Sequence, residues 1–320
     1  MFIEQAVKIE NKFWKYIVGS LIIIVVSSFG QIPFTGAVFL KAYQEGKDFT
    51  KLNEKQLMTY LDLNLTLFLL MLTFVFGLLG IFIVIKNLHK QTVLSLTTSR
   101  KSIDWSRFWF SFLLWGSITV ISTLVMYYEA PEDFVLNFKP IPFLILFLLG
   151  IVLIPLQTSC EEYVFRGYLM QGFGNLARNK WFPLVMTSII FGGMHILNPE
   201  VEKMGYIVML YYIGTGFMLG IMTLMDDGME LALGFHAANN LVGALLVTAD
   251  WSAFQTHSIL KDISEPSAGF DIIAPVFIIY PIILFIFSKK YGWTNWKEKL
   301  TGAIHLENVN QINEIAGNHD

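Results

Sequence analysis

PIPFLILFLLGIVLIPLQTSCEEYVFRGYLMQGF, residues 140–173, decides the fold. From Pro140 to Thr158 it holds no ionisable side chain, which is enough apolar chain to cross about 30 Å of hydrocarbon as a helix. Two adjacent carboxylates and an arginine then follow, and the apolar pattern resumes through Phe173. One long helix is expected through the whole stretch. In that helix Glu162 and Arg166 stand at i and i+4, so they share a face and can pair. Glu161 is turned about 100° away and left free for chemistry.

Working outward, comparable apolar runs recur at 16–40, 63–85, 108–127, 182–198, 205–225, 230–249 and 270–288. The expectation is an all-α polytopic transmembrane bundle of about eight spans, divided into three parts. Residues 1–139 read as an N-terminal scaffold of about three spans. Residues 140–250 read as a helical core, and 251–320 as a last span with a polar tail. A hydrophobic content of 54%, a charged content of 15% and a mean hydropathy of +0.56 exceed what a solvated domain carries, so the bilayer is the solvent. A net charge of -3 offers no basic field for nucleic acid. The single cysteine, Cys160, excludes an internal disulfide and any CxxC motif. It also adjoins Glu161, a poor setting for a thiolate nucleophile.

Lysine and arginine cluster before the first run, between the second and third (Lys86 to Arg107) and after the last. Both termini are therefore expected on the cytoplasmic side of a bacterial plasma membrane. Residues 41–60, with four lysines, dissent from that orientation.

Ionisable side chains inside the apolar runs concentrate after residue 158: Glu161, Glu162 and Arg166, then His195, then His236 with Asn240. Each charge at bilayer depth costs about 2.5–3.5 kcal/mol on the lenient insertion scale, so such groups should face one another or a wet cavity. Taken singly, each has a bland explanation: a helix-end salt bridge, a packed histidine, an interhelical hydrogen bond. Taken together they place two carboxylates, two imidazoles and a carboxamide on three neighbouring helices, which packing alone does not explain. In FGGMH (191–195), Phe191 lies one turn before His195. In HAANN (236–240), His236 and Asn240 share a face, with Asn239 directed elsewhere, and offer two aligned donors of the kind an oxyanion needs. A glutamate with a histidine partner can activate water for attack on an amide. No GxSxG or HExxH occurs.

The order EExxxR, FxxxH, HxxxN in apolar helices resembles the CAAX protease and bacteriocin-processing (CPBP, also ABI) family of intramembrane proteases. Glu161, Glu162 and Arg166 match the first motif, Phe191 and His195 the second, His236 and Asn240 the third. The resemblance implies an eight-span bundle whose cavity opens toward the cytosol and the lipid, and an endopeptidase acting on a membrane-embedded or membrane-anchored polypeptide. It implies Glu161 as general base assisted by His195, His236 and Asn240 as oxyanion donors, and Phe191 as a substrate contact. No cofactor is favoured. A divalent metal such as zinc, held by Glu161, His195 and His236, is the alternative. Two other functions fit the residues: a non-catalytic membrane peptide-binding or immunity protein of the same fold, and a proton-coupled transporter, for which the sequence lacks repeated halves.

Overall fold

The structure, a computed structural model, describes residues 1–7, 12–52, 54–253, 255–266 and 269–304. Lys8, Glu10 and the tail from residue 305, with His305 and His319, lie outside the described residues.

The chain folds as an all-α, multi-pass membrane bundle. Helices α1 (Phe13–Phe29) and α2 (Ile32–Gln44) form one bent span, with Pro33 in the first turn of α2, where its missing N–H costs nothing. Then follow α3 (Leu63–Asn87), α4 (Trp105–Glu129) and α5 (Pro140–Glu162). Asp62 and Asp104 cap α3 and α4 by accepting backbone N–H groups of the first turns. The Asp104 carboxyl is held below the usual carboxylate range by the Ser106 hydroxyl and by Arg107. After α5 the chain widens into a π turn, Tyr163–Leu169, and continues as α6 (Met170–Ala177). The expected single long helix is thus present, with a register change in its middle. Helices α7 (Trp181–Gly193), α8 (Val208–Asp226), α9 (Glu230–Leu246) and α10 (Tyr280–Tyr291) complete the set.

The expected count of about eight spans is corrected to six among the described residues. Helices occupy all eight apolar runs, but α7 has 13 residues and α9 has 17. At 1.5 Å per residue they reach about 20 and 25 Å, less than the hydrocarbon thickness. The reason lies in what surrounds them. Helix α9 is buried from Glu230 to Ala238, against protein, so no lipid dictates its length. Helix α7 stops at Gly193, and His195 sits in the hydrogen-bonded turns beyond it, its N–H donating to the Gly192 carbonyl at 2.9 Å. His195 is therefore half-buried and outside the helix. His89, in the bend after α3, is 1% exposed and its Nε2 lies 2.9 Å from the Tyr168 hydroxyl.

The two ends of the bundle differ in charge. At one end, Arg100 and Arg107 bind Asp226, Lys299 binds Asp227 and Lys180 binds Glu298, so residues 86–107, 178–180, 226–230 and 289–304 gather together with Met1. The other end carries a small sheet of order β1-β3-β2: β1 (Phe134–Leu136) runs antiparallel to β3 (Leu260–Asp262), and β2 (Val247–Ala249) parallel to it. Residues 41–52 lie at this second end, where the dissenting Lys47 and Lys51 are paired with Glu45 and Asp48.

Close helix packing relies on small residues, as expected in lipid. A Cβ on Gly234 of α9 would overlap the Phe108 carbonyl oxygen of α4, and backbone cannot swing aside. Gly234→Ala is expected to destabilise the protein by about 1–3 kcal/mol, the range for overpacking. The check is unfolding in detergent: an unchanged midpoint would mean that α4 and α9 separate freely.

Candidate active site

The π turn sets the site. It interrupts the helix directly after Glu162, and the local widening re-aims the side chains on either side, a device often found at functional positions. Glu162 and Arg166 pair as the sequence predicts: Arg166 Nη1 donates to Glu162 Oε1 at 3.0 Å, and both side chains are fully buried. Arg166 Nη2 also donates to the Gly216 carbonyl of α8 at 3.2 Å. A charge pair this deep holds its geometry because separating it leaves an uncompensated charge.

Glu162 Oε1 faces a second partner, His236 Nδ1 of α9, at 2.7 Å. The other ring nitrogen, Nε2, lies 3.5 Å from Glu161 Oε2. His236 thus stands between the two carboxylates. An ionised carboxylate only accepts, so Nδ1 donates to Glu162, and the Nε2 edge is turned toward Glu161.

The remaining contacts of Glu161 come from residues the motifs leave out. Gln157, one turn earlier on α5, donates Nε2 to Glu161 Oε1 and accepts Asn240 Nδ2 on its own Oε1 at 3.0 Å. Asn240 Oδ1 accepts Asn239 Nδ2 at 3.0 Å, and Asn239 Oδ1 accepts Trp115 Nε1 of α4 at 3.0 Å. This chain has one possible direction. Indole N–H only donates and carboxylate only accepts, so every amide between them must point its nitrogen toward Glu161. The expectation that Asn239 points elsewhere is corrected: it is the second link. The signal for Gln157 was its i−4 spacing from Glu161; Trp115, more than a hundred residues away, gave none.

Trp115→Phe removes the donor that fixes this direction while keeping an aromatic ring stacked on Phe235 at 4.4 Å. For a hydrolytic site the expected result is a two- to tenfold slower rate, matching the loss of about 0.5–1.5 kcal/mol for one net hydrogen bond. Single-turnover rates check it. A larger fall accompanied by a lowered melting point would assign Trp115 to packing alone.

His195 reaches the same space from the end of α7. Its Nδ1 donates to the Phe191 carbonyl at 2.8 Å, which leaves Nε2 as the acceptor edge, and its ring stacks on Tyr212 at 4.3 Å. Phe191 is 3% exposed. Its ring lies 4.3 Å from the Arg166 guanidinium carbon, 5.0 Å from the His195 ring and 5.9 Å from the His236 ring. It is a wall that holds three polar groups apart in apolar surroundings.

Glu161, His195, His236, Asn240 and Phe191 all line one cavity of about 870 Å³, whereas Glu162 and Arg166 lie behind its wall. The cavity runs from Glu161 toward the β-sheet end, past Ser27, Ser28 and Gln31 of the first span and on to Asn198, Glu200, Trp251 and Asp262. No lining residue comes from the end that gathers the arginines and Lys299. The zinc alternative fits this donor set poorly. Among the described residues no three His, Cys, Asp or Glu side chains converge as metal ligands, and both His236 nitrogens face carboxylates.

Residues 140–242 match the family model described as type II CAAX prenyl endopeptidase Rce1-like. That match bears out the resemblance drawn from EExxxR, FxxxH and HxxxN, and it spans Gln157, Glu161, Glu162, Arg166, Phe191, His195, His236, Asn239 and Asn240 but not Trp115. A second model, described as bovine immunodeficiency virus surface protein, matches residues 1–113, a region that carries none of the site's ionisable groups, and it supports no argument. The chain is 26% identical over 246 residues to the uncharacterized protein YyaK of Bacillus subtilis strain 168, covering 77% of this chain and 81% of that protein. No solved structure matches.

Proposed function

From the kinship of residues 140–242 with CAAX prenyl endopeptidases, we propose that the chain is an intramembrane endopeptidase that cuts a membrane-embedded or membrane-anchored polypeptide. The supporting observation is Glu161: a carboxylate inside a membrane cavity, fixed by Gln157 and His236 but not neutralised by an arginine. Water entering the cavity donates a proton to Glu161 and attacks the amide carbon. His195 Nε2 is a second acceptor for that water. The tetrahedral oxyanion is met by the Nε2 edge of His236, whose other edge Glu162 holds, and by the amide N–H that Asn240 has left after bonding Gln157. Collapse returns the proton from Glu161 to the departing nitrogen. Arg166 acts at one remove, pairing with Glu162 and holding it aimed at His236.

In this proposal no metal takes part, the catalytic core is residues 140–250, and the chain resides in a bacterial plasma membrane with its arginine-rich end in the cytoplasm. Cleavage is expected to survive a chelator that strips zinc; loss of activity restored by zinc would overturn the metal-free reading. The function itself is tested by comparing the membrane peptides of cells carrying the native chain with those carrying Glu161→Ala. A precursor that accumulates with Glu161→Ala names the substrate and the cut. Identical peptide profiles, at equal protein levels, would favour the peptide-binding or immunity reading.

A further inference from the structure

The cavity has a side, and the side limits what can enter. Its mouth is built from the α1–α2 junction (Ser28, Gln31), the segment after α7 (Met194, Asn198, Glu200), and the residues around β2 (Trp251, Ser252). The residues around β2 belong to the end that bears the sheet, whereas Ser28 and Gln31 lie inside the first span, Phe13–Gln44. Ala253 N–H donates to Glu200 Oε1 at 2.8 Å, which ties the last two parts together. The opposite end holds Arg100, Arg107, Arg178, Lys289, Lys290 and Lys299. It is the end that the distribution of lysine and arginine assigns to the cytoplasm. Of the lysines that dissent at the sheet end, Lys47 contacts Glu45 at 2.7 Å and Lys51 contacts Asp48 at 3.8 Å; Lys261 at the same end contacts Asp250 at 2.9 Å.

The lining carries a charge of one sign. Glu161, Glu200 and Asp262 line the cavity, and among the described residues no lysine or arginine does. A prenylated CAAX end terminates in a free carboxylate close to its cysteine. Such a group has no lysine or arginine to meet here and three carboxylates to avoid, in a space whose low dielectric strengthens every charge interaction.

We infer that the cavity admits its polypeptide from the extracytoplasmic half of the membrane, and that the admitted segment is neutral or cationic, without a free carboxylate near the cut. This deepens the peptidase reading and rests on it for the word substrate, but the side and sign of the cavity are measurable without any cleavage. Ser28 and Ile24 are exposed on α1, and Met194 is 71% exposed beyond α7. The approach therefore runs laterally between these two elements as well as from the aqueous face.

The experiment uses the full chain in cells, with Cys160→Ser as background, and four single variants: Ser252→Cys and Ala253→Cys at the mouth, Lys101→Cys and Lys297→Cys at the arginine-rich end. Variants that reach the membrane at native level are treated with a membrane-impermeant maleimide, before and after permeabilisation. The mouth positions are expected to react in intact spheroplasts, and the other two only after permeabilisation. Reaction of Lys101→Cys or Lys297→Cys in intact spheroplasts overturns the assigned side. On the same mouth variants, a cationic methanethiosulfonate is expected to react at least tenfold faster than an anionic one, relative to their ratio on a free thiol. Equal relative rates, or faster anionic modification, overturn the assigned sign. Either failure leaves the Glu161→Ala peptide comparison untouched, so an error about the side and an error about catalysis are told apart.

Discussion

Glu161→Gln is expected to slow peptide cleavage by about 10²–10⁴-fold, the contribution of a positioned general base, while leaving the protein as stable as before. The substitution is nearly isosteric and preserves the surrounding contacts. A glutamine oxygen still accepts from Gln157 Nε2, and its amide faces His236. What it cannot do is take a proton from water. Single-turnover cleavage together with an unfolding curve in detergent checks both halves. A rate within tenfold of native would remove Glu161 from the base role and leave His195 Nε2 as the acceptor.

Arg166→Met carries the largest expected cost in stability, about 3–5 kcal/mol, because it strips the partner from a carboxylate with no exposed surface. The methionine fills much of the space beside Phe191, so loss of volume contributes little. Loss of charge is the whole difference. Adding Glu162→Gln to Arg166→Met is expected to recover most of that stability, since no unpaired charge is then buried. It is not expected to recover cleavage, because His236 would lose the carboxylate on its Nδ1 edge. Stability and activity thus separate in the double variant. If the single change costs less than about 1 kcal/mol, as an exposed pair would, the site is wetter than its geometry indicates.

How much of this was readable beforehand varied with distance along the chain. The Glu162 to Arg166 pair was legible because an i, i+4 spacing means contact in any helix, even one that widens into a π turn. The shared cavity of Glu161, His195, His236 and Asn240 was legible because ionisable groups in lipid have few other places to go. The link from His236 to both glutamates was not, since helical phase on α5 and α9 says nothing of how the two helices are rotated against each other. Trp115 and Asn239 were hidden for the same reason. The span count erred because apolar content marks burial without saying whether lipid or protein does the burying. That ambiguity is largest for α9, whose first nine residues are buried in the bundle. The course of the cavity toward the sheet end was hidden as well, since apolar runs do not say which connecting segments adjoin the site.

The shortness of α7 reaches beyond the protein. Where that helix stops, Met194, Ile196 and Leu197 are left exposed at a depth that a full-length helix would have passed through. Acyl chains adjoining a truncated wall must compress or tilt to meet it, a mismatch that costs a fraction of a kcal/mol for each ångström. The bilayer is therefore expected to be dimpled at this flank, drawing headgroups and interfacial water down toward the histidine. Lipid chain length then becomes part of the molecule's working environment, as solvent composition is for a soluble protein.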